Sequence, residues 1–161
     1  MSHNRLIVHV SDAKVSRTLD DTLITYSLGS CIGVCMYDAA LKMGGMLHFQ
    51  LPDSRMDPDK AKTKPFMFAD SGLQQLIQAF QTAGANKKHL HVKLAGGASM
   101  QTGPKGFDIG KRNHLAVKKW MWKHGIFVDG EDVGGSVPRN MYLRIQDGTV
   151  TIKSGGSEHV L

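Results

Sequence analysis

Cys31-Ile32-Gly33-Val34-Cys35-Met36-Tyr37 and Met43-Gly44-Gly45-Met46-Leu47-His48-Phe49-Gln50-Leu51 are two apolar runs joined by the short segment Asp38-Ala39-Ala40-Leu41-Lys42. Runs of this length around so short a connection predict a β-hairpin. With the turn centred between Ala40 and Leu41, His48 stands across from Gly33, and Cys31 lies diagonally beside it on the same face. Gly33 adds no side chain to block that approach. A slip of one residue would send Cys31 to the opposite face.

Working outward, Leu6 to Val10 and Asp21 to Leu28 are rich in β-branched and apolar residues and read as strands. A helix is expected from about Pro65 to Ala83, because Ala69, Leu73, Leu76, Ile77 and Phe80 form one apolar stripe. Thr63 is its candidate cap, Pro65 suits its first turn and Gly84 ends it. His89 to Leu94 reads as a strand running into Gly96-Gly97. A second helix is expected from about Ile109 to His124, stopped by Gly125, with Asn113, Ala116, Val117, Trp120 and Met121 on one face. Ile126 to Val128, Met141 to Ile145 and Thr149 to Lys153 complete the strands. This pattern predicts an α+β domain, a mixed α/β layered sandwich. The whole chain, 1–161, reads as a single domain of mixed or antiparallel sheet with two long helices packed on its faces. It argues against a doubly wound nucleotide fold.

Composition agrees. The chain has 161 residues, 41% hydrophobic and 21% charged, as expected of a globular protein able to bury a core unaided. No apolar run approaches the roughly 20 residues that span a bilayer, so no membrane insertion is expected. The N-terminus lacks the features of a secretory leader, which points to the cytoplasm. The formal charge of +6 suits an acidic partner. Nucleic acid is disfavoured, since the basic residues are scattered pairs such as Lys87-Lys88 and Lys118-Lys119, without an aromatic stacking motif on paired strands. The two cysteines, Cys31 and Cys35, have neither redox nor zinc-knuckle spacing and are expected to be free thiols.

Two readings of the hairpin chemistry stand. Cys31 and His48 can form a thiol–imidazole pair, in which an imidazolium holds the thiolate and backbone amides of Gly29, Ser30 and Cys31 face a developing oxyanion. Alternatively, Cys31 is a small buried hydrophobe and His48 a satisfied strand histidine.

Further residues bring a resemblance. Thr25-Tyr26-Ser27-Leu28-Gly29-Ser30-Cys31-Ile32-Gly33-Val34-Cys35, with Gly44-Gly45-Met46-Leu47-His48-Phe49-Gln50-Leu51-Pro52, resembles the signature of the CheD family. Phe68-Ala69-Asp70, Lys93-Leu94-Ala95-Gly96-Gly97-Ala98-Ser99-Met100, Ile109-Gly110-Lys111-Arg112-Asn113 and Asp132-Val133-Gly134-Gly135 with Arg139 resemble its later motifs in order. The similarity runs from about residue 6 to residue 153. It implies a chemoreceptor glutamine deamidase of bacterial chemotaxis, with Cys31 as nucleophile, His48 as its partner and Thr25 orienting the imidazole. It further implies methyl-accepting chemoreceptors as substrates, a CheC-type phosphatase as a partner, a glutamyl thioester as intermediate, and no cofactor or metal. A receptor methylesterase and a non-enzymatic adaptor of the phosphatase are the competing functions. One departure is Gly134-Gly135-Ser136-Val137-Pro138-Arg139, where the family runs from Gly-Gly into Gly-Arg; it bears on preference at that loop.

Other residues carry weaker signals. Cys35 is expected to be packed. His89 and His91, alternating on one strand face, could hold a metal with His114 or His124, but packing is the preferred reading. Most methionines, Met100 among them, are expected to fill core gaps. Of Trp120 and Trp122, one should be core and the other exposed. The polar stretch Asp53 to Lys60 reads as a mobile loop beside the cleft.

Overall fold

A computed structural model describes residues 3–99 and 108–161. Ten strands and three α-helices follow in the order β1 (Asn4–Ile7), β2 (Asp12–Ser16), β3 (Asp21–Leu28), β4 (Ile32–Asp38), β5 (Met43–Phe49), α1 (Pro58–Thr63), α2 (Ala69–Thr82), β6 (His91–Gly96), α3 (Ile109–Lys123), β7 (Gly130–Val133), β8 (Arg139–Arg144), β9 (Val150–Ser154) and β10 (Ser157–Val160). They form two mixed five-stranded sheets, β1-β3-β8-β9-β10 and β2-β5-β4-β6-β7. The parallel pairs are β1 with β3 and β6 with β7. The expected layered α+β architecture is what is found.

The hairpin is the hinge of the layering. Gly33 pairs with His48, Ile32 with Phe49 and Cys35 with Met46, the register expected from the connection length. Every residue of β4 and β5 is buried. The period of two sorts them between two cores. Ile32, Val34, Met36, Leu47 and Phe49 face α2 and α3, joining Leu73, Leu76, Phe80 and Val117. Cys35, Tyr37 and Met46 face the other sheet, joining Leu23, Leu28, Met141, Leu143 and Ile152. The central sheet therefore lies between a helical layer and a second sheet. That explains why its strands read as unbroken apolar runs rather than alternating ones.

Several expected boundaries move. The first long helix starts at Ala69, and no side chain caps it; the amide of Ala69 donates instead to the carbonyl of Leu51, at 2.9 Å. Thr63 ends α1 rather than capping α2. The Asp53–Lys60 stretch is a 3-10 turn followed by the start of α1, not an irregular loop. Asp70 anchors it through the amide and hydroxyl of Ser54, at 2.9 and 2.5 Å. Asp70 also places negative charge in the first turn of α2, where the helix dipole favours it. His89 belongs to a 3-10 turn rather than to the strand that begins at His91. Residues 126–128 are not a strand; the segment enters the sheet only at Gly130. Strands β2 and β10 are additional to the sequence reading.

Phe80 is fully buried between α2 and the hairpin. Phe80→Ala is expected to lower unfolding stability by about 3–5 kcal/mol. Equilibrium urea denaturation followed by far-UV circular dichroism checks this, and a loss under about 1 kcal/mol would mean the helical layer contributes little to the core.

Candidate active site

Three segments converge at the end of the hairpin. Cys31 immediately precedes β4, is half-buried, and packs against the core between the sheets. His48 lies on β5 and is 1% exposed. By the pairing of Gly33 with His48 and the alternation along β4, Cys31 falls on the His48 face. Thr25, on β3 of the other sheet, is fully buried and lies opposite Met141. Its hydroxyl oxygen is 2.7 Å from Nδ1 of His48.

That contact fixes the tautomer of the imidazole. Thr25 Oγ1 also lies 2.7 Å from the carbonyl oxygen of Val8, which can only accept. A hydroxyl has one proton. It goes to Val8, so Oγ1 accepts from His48 Nδ1–H, and Nε2 is left with its lone pair. Nε2 is buried and has no hydrogen-bond partner among the described residues. Burial pushes the His48 pKa down to about 4, and burial pushes the Cys31 thiol up, partly opposed by the thiol's own backbone amide. Both shifts disfavour the charged forms, the imidazolium and the thiolate of the sequence expectation. An unpartnered basic nitrogen suits a general base rather than a standing countercharge.

The loop carrying Cys31 is held by backbone. Gly97 N–H donates to the Cys31 carbonyl and Ala98 N–H to the Gly29 carbonyl, both at 2.8 Å. Gly96 has φ +108°, and a Cβ there would lie 2.2 Å from the Cys31 oxygen, so only glycine fits. At the start of α3, a Cβ on Gly110 would lie 2.3 Å from the Ala98 oxygen. Gly29 N–H donates to the Ser27 carbonyl at 3.0 Å, which removes it from the expected set of oxyanion donors. The backbone amide of Cys31 points at its own thiol.

Two long-range polar side chains complete the frame. Asn113 Nδ2 bridges the carbonyls of Ser30 and Gln50 at 3.0 and 2.8 Å, tying the two hairpin ends to α3. Gln50 Oε1 in turn accepts from the Ser11 hydroxyl at 2.7 Å. Arg139 joins three segments, donating to Asp132 at 3.0 Å, the Gly96 carbonyl at 3.1 Å and the Gly134 carbonyl at 2.6 Å. The sequence reading placed Asn113 on a helix face and Arg139 behind a glycine pair, without these roles. A buried asparagine within an apolar stripe was the signal available. The bonding of Ser11 and Gln50 left no sequence signal.

The remaining candidates separate from this site. Cys35 is buried, and burial pushes its thiol far up. His114 pairs with Glu131 at 3.0 Å, and His91 lies 3.7 Å from Asp129. Met36, Met43, Met46, Met121 and Met141 are core; Met56 is exposed, and Met100 lies outside the described residues. Trp120 is half-buried and stacks on His124 at 3.9 Å, while Trp122 is exposed.

The chain matches the family model described as CheD chemotactic sensory transduction over residues 50–154. It is 47% identical over 151 residues to a probable chemoreceptor glutamine deamidase CheD 1 of Syntrophus aciditrophicus, covering 94% of each chain. It is 44% identical over 157 residues to a probable chemoreceptor glutamine deamidase CheD of Solibacter usitatus, covering 98% of this chain and 93% of that one. A solved Neisseria meningitidis protein of the DUF152 family model superposes with a TM-score of 0.48 at 14% identity, over 83% of this chain and 63% of that one.

The depressed His48 pKa has a consequence for stability. The unfolded imidazole binds a proton near pH 6.5, while the folded one resists it down to about 4. Over that window the unfolded state holds more protons, so stability falls as pH drops from 6.5 towards 4. His48→Gln should flatten this part of the curve. Urea midpoints measured at pH 7, 6, 5 and 4 check it; parallel wild-type and His48→Gln curves would exclude a buried neutral imidazole.

Proposed function

The chain belongs to the CheD family, and from that premise we propose that it hydrolyses the side-chain amide of glutamines in methyl-accepting chemoreceptors to glutamate, releasing ammonia. Residues 1–161 act as one deamidase unit in the cytoplasm, with no cofactor and no metal. Cys31 is the nucleophile, His48 the general base and acid, and Thr25 the residue that positions the ring. The observation that carries this reading is the Thr25 hydroxyl bound to both the Val8 carbonyl and His48 Nδ1, which leaves Nε2 as a buried, unpartnered base.

The chemistry follows from that nitrogen. Nε2 takes the Cys31 thiol proton as sulfur attacks the amide carbon of the glutamine side chain. The oxyanion is met by the amides of Ser30 and Cys31. The imidazolium then gives its proton to the departing nitrogen, ammonia leaves, and a glutamyl thioester remains. Water enters and Nε2 removes its proton as oxygen attacks the thioester carbon. Collapse releases glutamate, and the imidazolium returns a proton to sulfur. Thr25 keeps the same ring nitrogen bare at both stages.

Because the resting thiol and imidazole are neutral, proton transfer accompanies attack instead of preceding it. Cys31 should therefore alkylate slowly at pH 7 and faster as pH rises past its raised pKa. A CheC-type phosphatase is the proposed regulatory partner. An adaptor role would need none of Cys31, His48 or Thr25.

Purified chain incubated with a receptor cytoplasmic fragment should add about one mass unit at particular glutamines and release equimolar ammonia. Cys31→Ala and His48→Ala should each abolish this while binding the fragment as before. Thr25→Val should lower kcat by about 10–100-fold and displace the acid limb of the pH profile, since the ring loses its fixed tautomer. Full activity in Cys31→Ala would remove Cys31 as the nucleophile, and fragment binding by the parent chain without ammonia release would refute the reaction and leave an adaptor. Activity confined to methyl-ester substrates would reassign the same site to ester hydrolysis.

A further inference from the structure

The two amides proposed to meet the oxyanion belong to successive peptide planes, and each plane is held by its carbonyl. In a trans peptide the C=O and the N–H are rigidly joined and point in opposite directions. The Gly29 carbonyl shares its plane with the Ser30 N–H and accepts from Ala98 N–H at 2.8 Å. The Ser30 carbonyl shares its plane with the Cys31 N–H and accepts from Asn113 Nδ2 at 3.0 Å. One plane is therefore held by backbone, and the next by a side chain of α3.

Asn113 is suited to that task. It is fully buried. Its nitrogen also donates to the Gln50 carbonyl at 2.8 Å, so one carboxamide grips the residue before Cys31 and the residue two beyond His48. Gly110, one turn earlier on the same helix face, lets α3 approach the loop, since a Cβ there would lie 2.3 Å from the Ala98 oxygen. A carboxamide nitrogen carries two N–H groups, and both are used. Oδ1, by contrast, is buried with no hydrogen-bond partner among the described residues. An orphaned buried acceptor costs stability, and a leucine of similar size would fill the space without it. Packing does not account for an amide at this position; the two carbonyls do.

The direction of the plane follows. Asn113 reaches Ser30 from the helical layer, where Val117 and Met121 of the same helix pack. The N–H of Cys31 opposes that carbonyl and so points away from α3. Cys31 packs on the other side, against the core between the sheets. Its amide lies close enough to its own thiol to oppose the upward push of burial. Asn113 holds one end of the plane, and the other end faces sulfur.

We infer that Asn113 is a positioning residue: by holding the Ser30 carbonyl, it aims the Cys31 amide at the sulfur and, during attack, at the substrate oxyanion. It acts through Ser30 and Cys31 rather than on the substrate. The oxyanion half of this role rests on the proposed deamidation; the aim of the amide does not. A donor aimed beforehand needs no reorganisation when charge develops. A hydrogen bond at the carbonyl also polarises the plane and strengthens its N–H as a donor.

Asn113→Leu in the full chain removes both donors at similar volume. Urea denaturation establishes that the variant is folded, and Asn113→Ser, too short to bridge both carbonyls, replaces it otherwise. On a receptor cytoplasmic fragment, kcat should fall about 10–100-fold while KM stays within about twofold. Alkylation of Cys31 by iodoacetamide, read by mass spectrometry against pH, should slow about threefold or more at pH 8 and recover at higher pH, because the amide no longer opposes burial. A role in stability alone would lower the urea midpoint and leave both readouts at wild-type values, which overturns the proposal. An unmoved alkylation profile overturns the aim of the amide, whatever the kcat. An unchanged kcat, or a rise in KM alone, overturns the oxyanion role while deamidation stands. No ammonia release by the parent chain would refute deamidation, and the oxyanion role with it. The alkylation profile would then decide the aim of the amide by itself.

Discussion

One hydroxyl proton organises this molecule's candidate chemistry. Thr25 can give it to only one acceptor, and the backbone carbonyl of Val8 takes it. The imidazole of His48 must then donate through Nδ1, and its other nitrogen is left bare in a dry environment. Val8 reaches that position because β1 runs parallel to β3, and the ladder continues one residue further, with Val8 N–H donating to the Ile24 carbonyl at 2.7 Å. Immediately after Thr25, β3 bulges, with Ser27 at φ +59° and its amide bound to the Asn140 side chain. The bulge sits between Thr25 and the Cys31 loop, a place where such irregularities commonly re-aim a side chain. The second sheet thus supplies the orientation of a histidine that belongs to the first.

Bringing the two sheets together in this way requires the hairpin to be buried on both faces. Had β4 and β5 kept one face in water, His48 would face solvent, and its Nε2 would be bound to water. The apolar residues of α2 and α3 cover one side of the hairpin, and the apolar residues of β3, β8 and β9 cover the other. The same double burial separates the two cysteines. Cys35, one turn of the pleat inside the sheet, is sealed in the core, whereas Cys31, outside the first ladder pair, remains half-exposed. Strand position alone, with no difference in residue type, distinguishes a structural thiol from an accessible one.

What could be read from the chain follows the range of the interactions. The hairpin register was legible because a five-residue connection and a period of two fix it locally. The apolar stripe of α2 was legible for the same reason, and so were its stop at Gly84 and that of α3 at Gly125, each with positive φ. The start of α2 was not, because its first amide is satisfied by the carbonyl of Leu51 and not by a neighbouring side chain. Strand β2 carries Asp12, Lys14 and Ser16 on an edge, a composition that does not announce a strand. Ile126 is buried by folding back under α3, which made an apolar triplet resemble a strand that begins only at Gly130. At the site, cysteine and histidine were legible through register and resemblance. The direction of the Thr25 proton, the span of Asn113 and the reach of Arg139 to the Gly96 carbonyl are set by partners in other elements, distant along the chain.

The resting protonation states bear on how such a site can persist unharmed. A standing thiolate is the form that oxidants and electrophiles attack, and its reactivity does not depend on the correct substrate. In the proposed reaction a neutral, half-buried thiol and a buried neutral base avoid that exposure, but the ion pair must then be generated during reaction, in surroundings that disfavour both charges. The transfer becomes favourable only if the negative charge leaves sulfur as it arrives, passing to an oxygen held by backbone amides. Under the proposed reaction, the substrate carbonyl is that oxygen, and the amides of Ser30 and Cys31 are the proposed donors to it. The nucleophile is then activated by the substrate itself. Discrimination follows, because a ligand that does not place a carbonyl between those amides and the sulfur meets only an unreactive thiol.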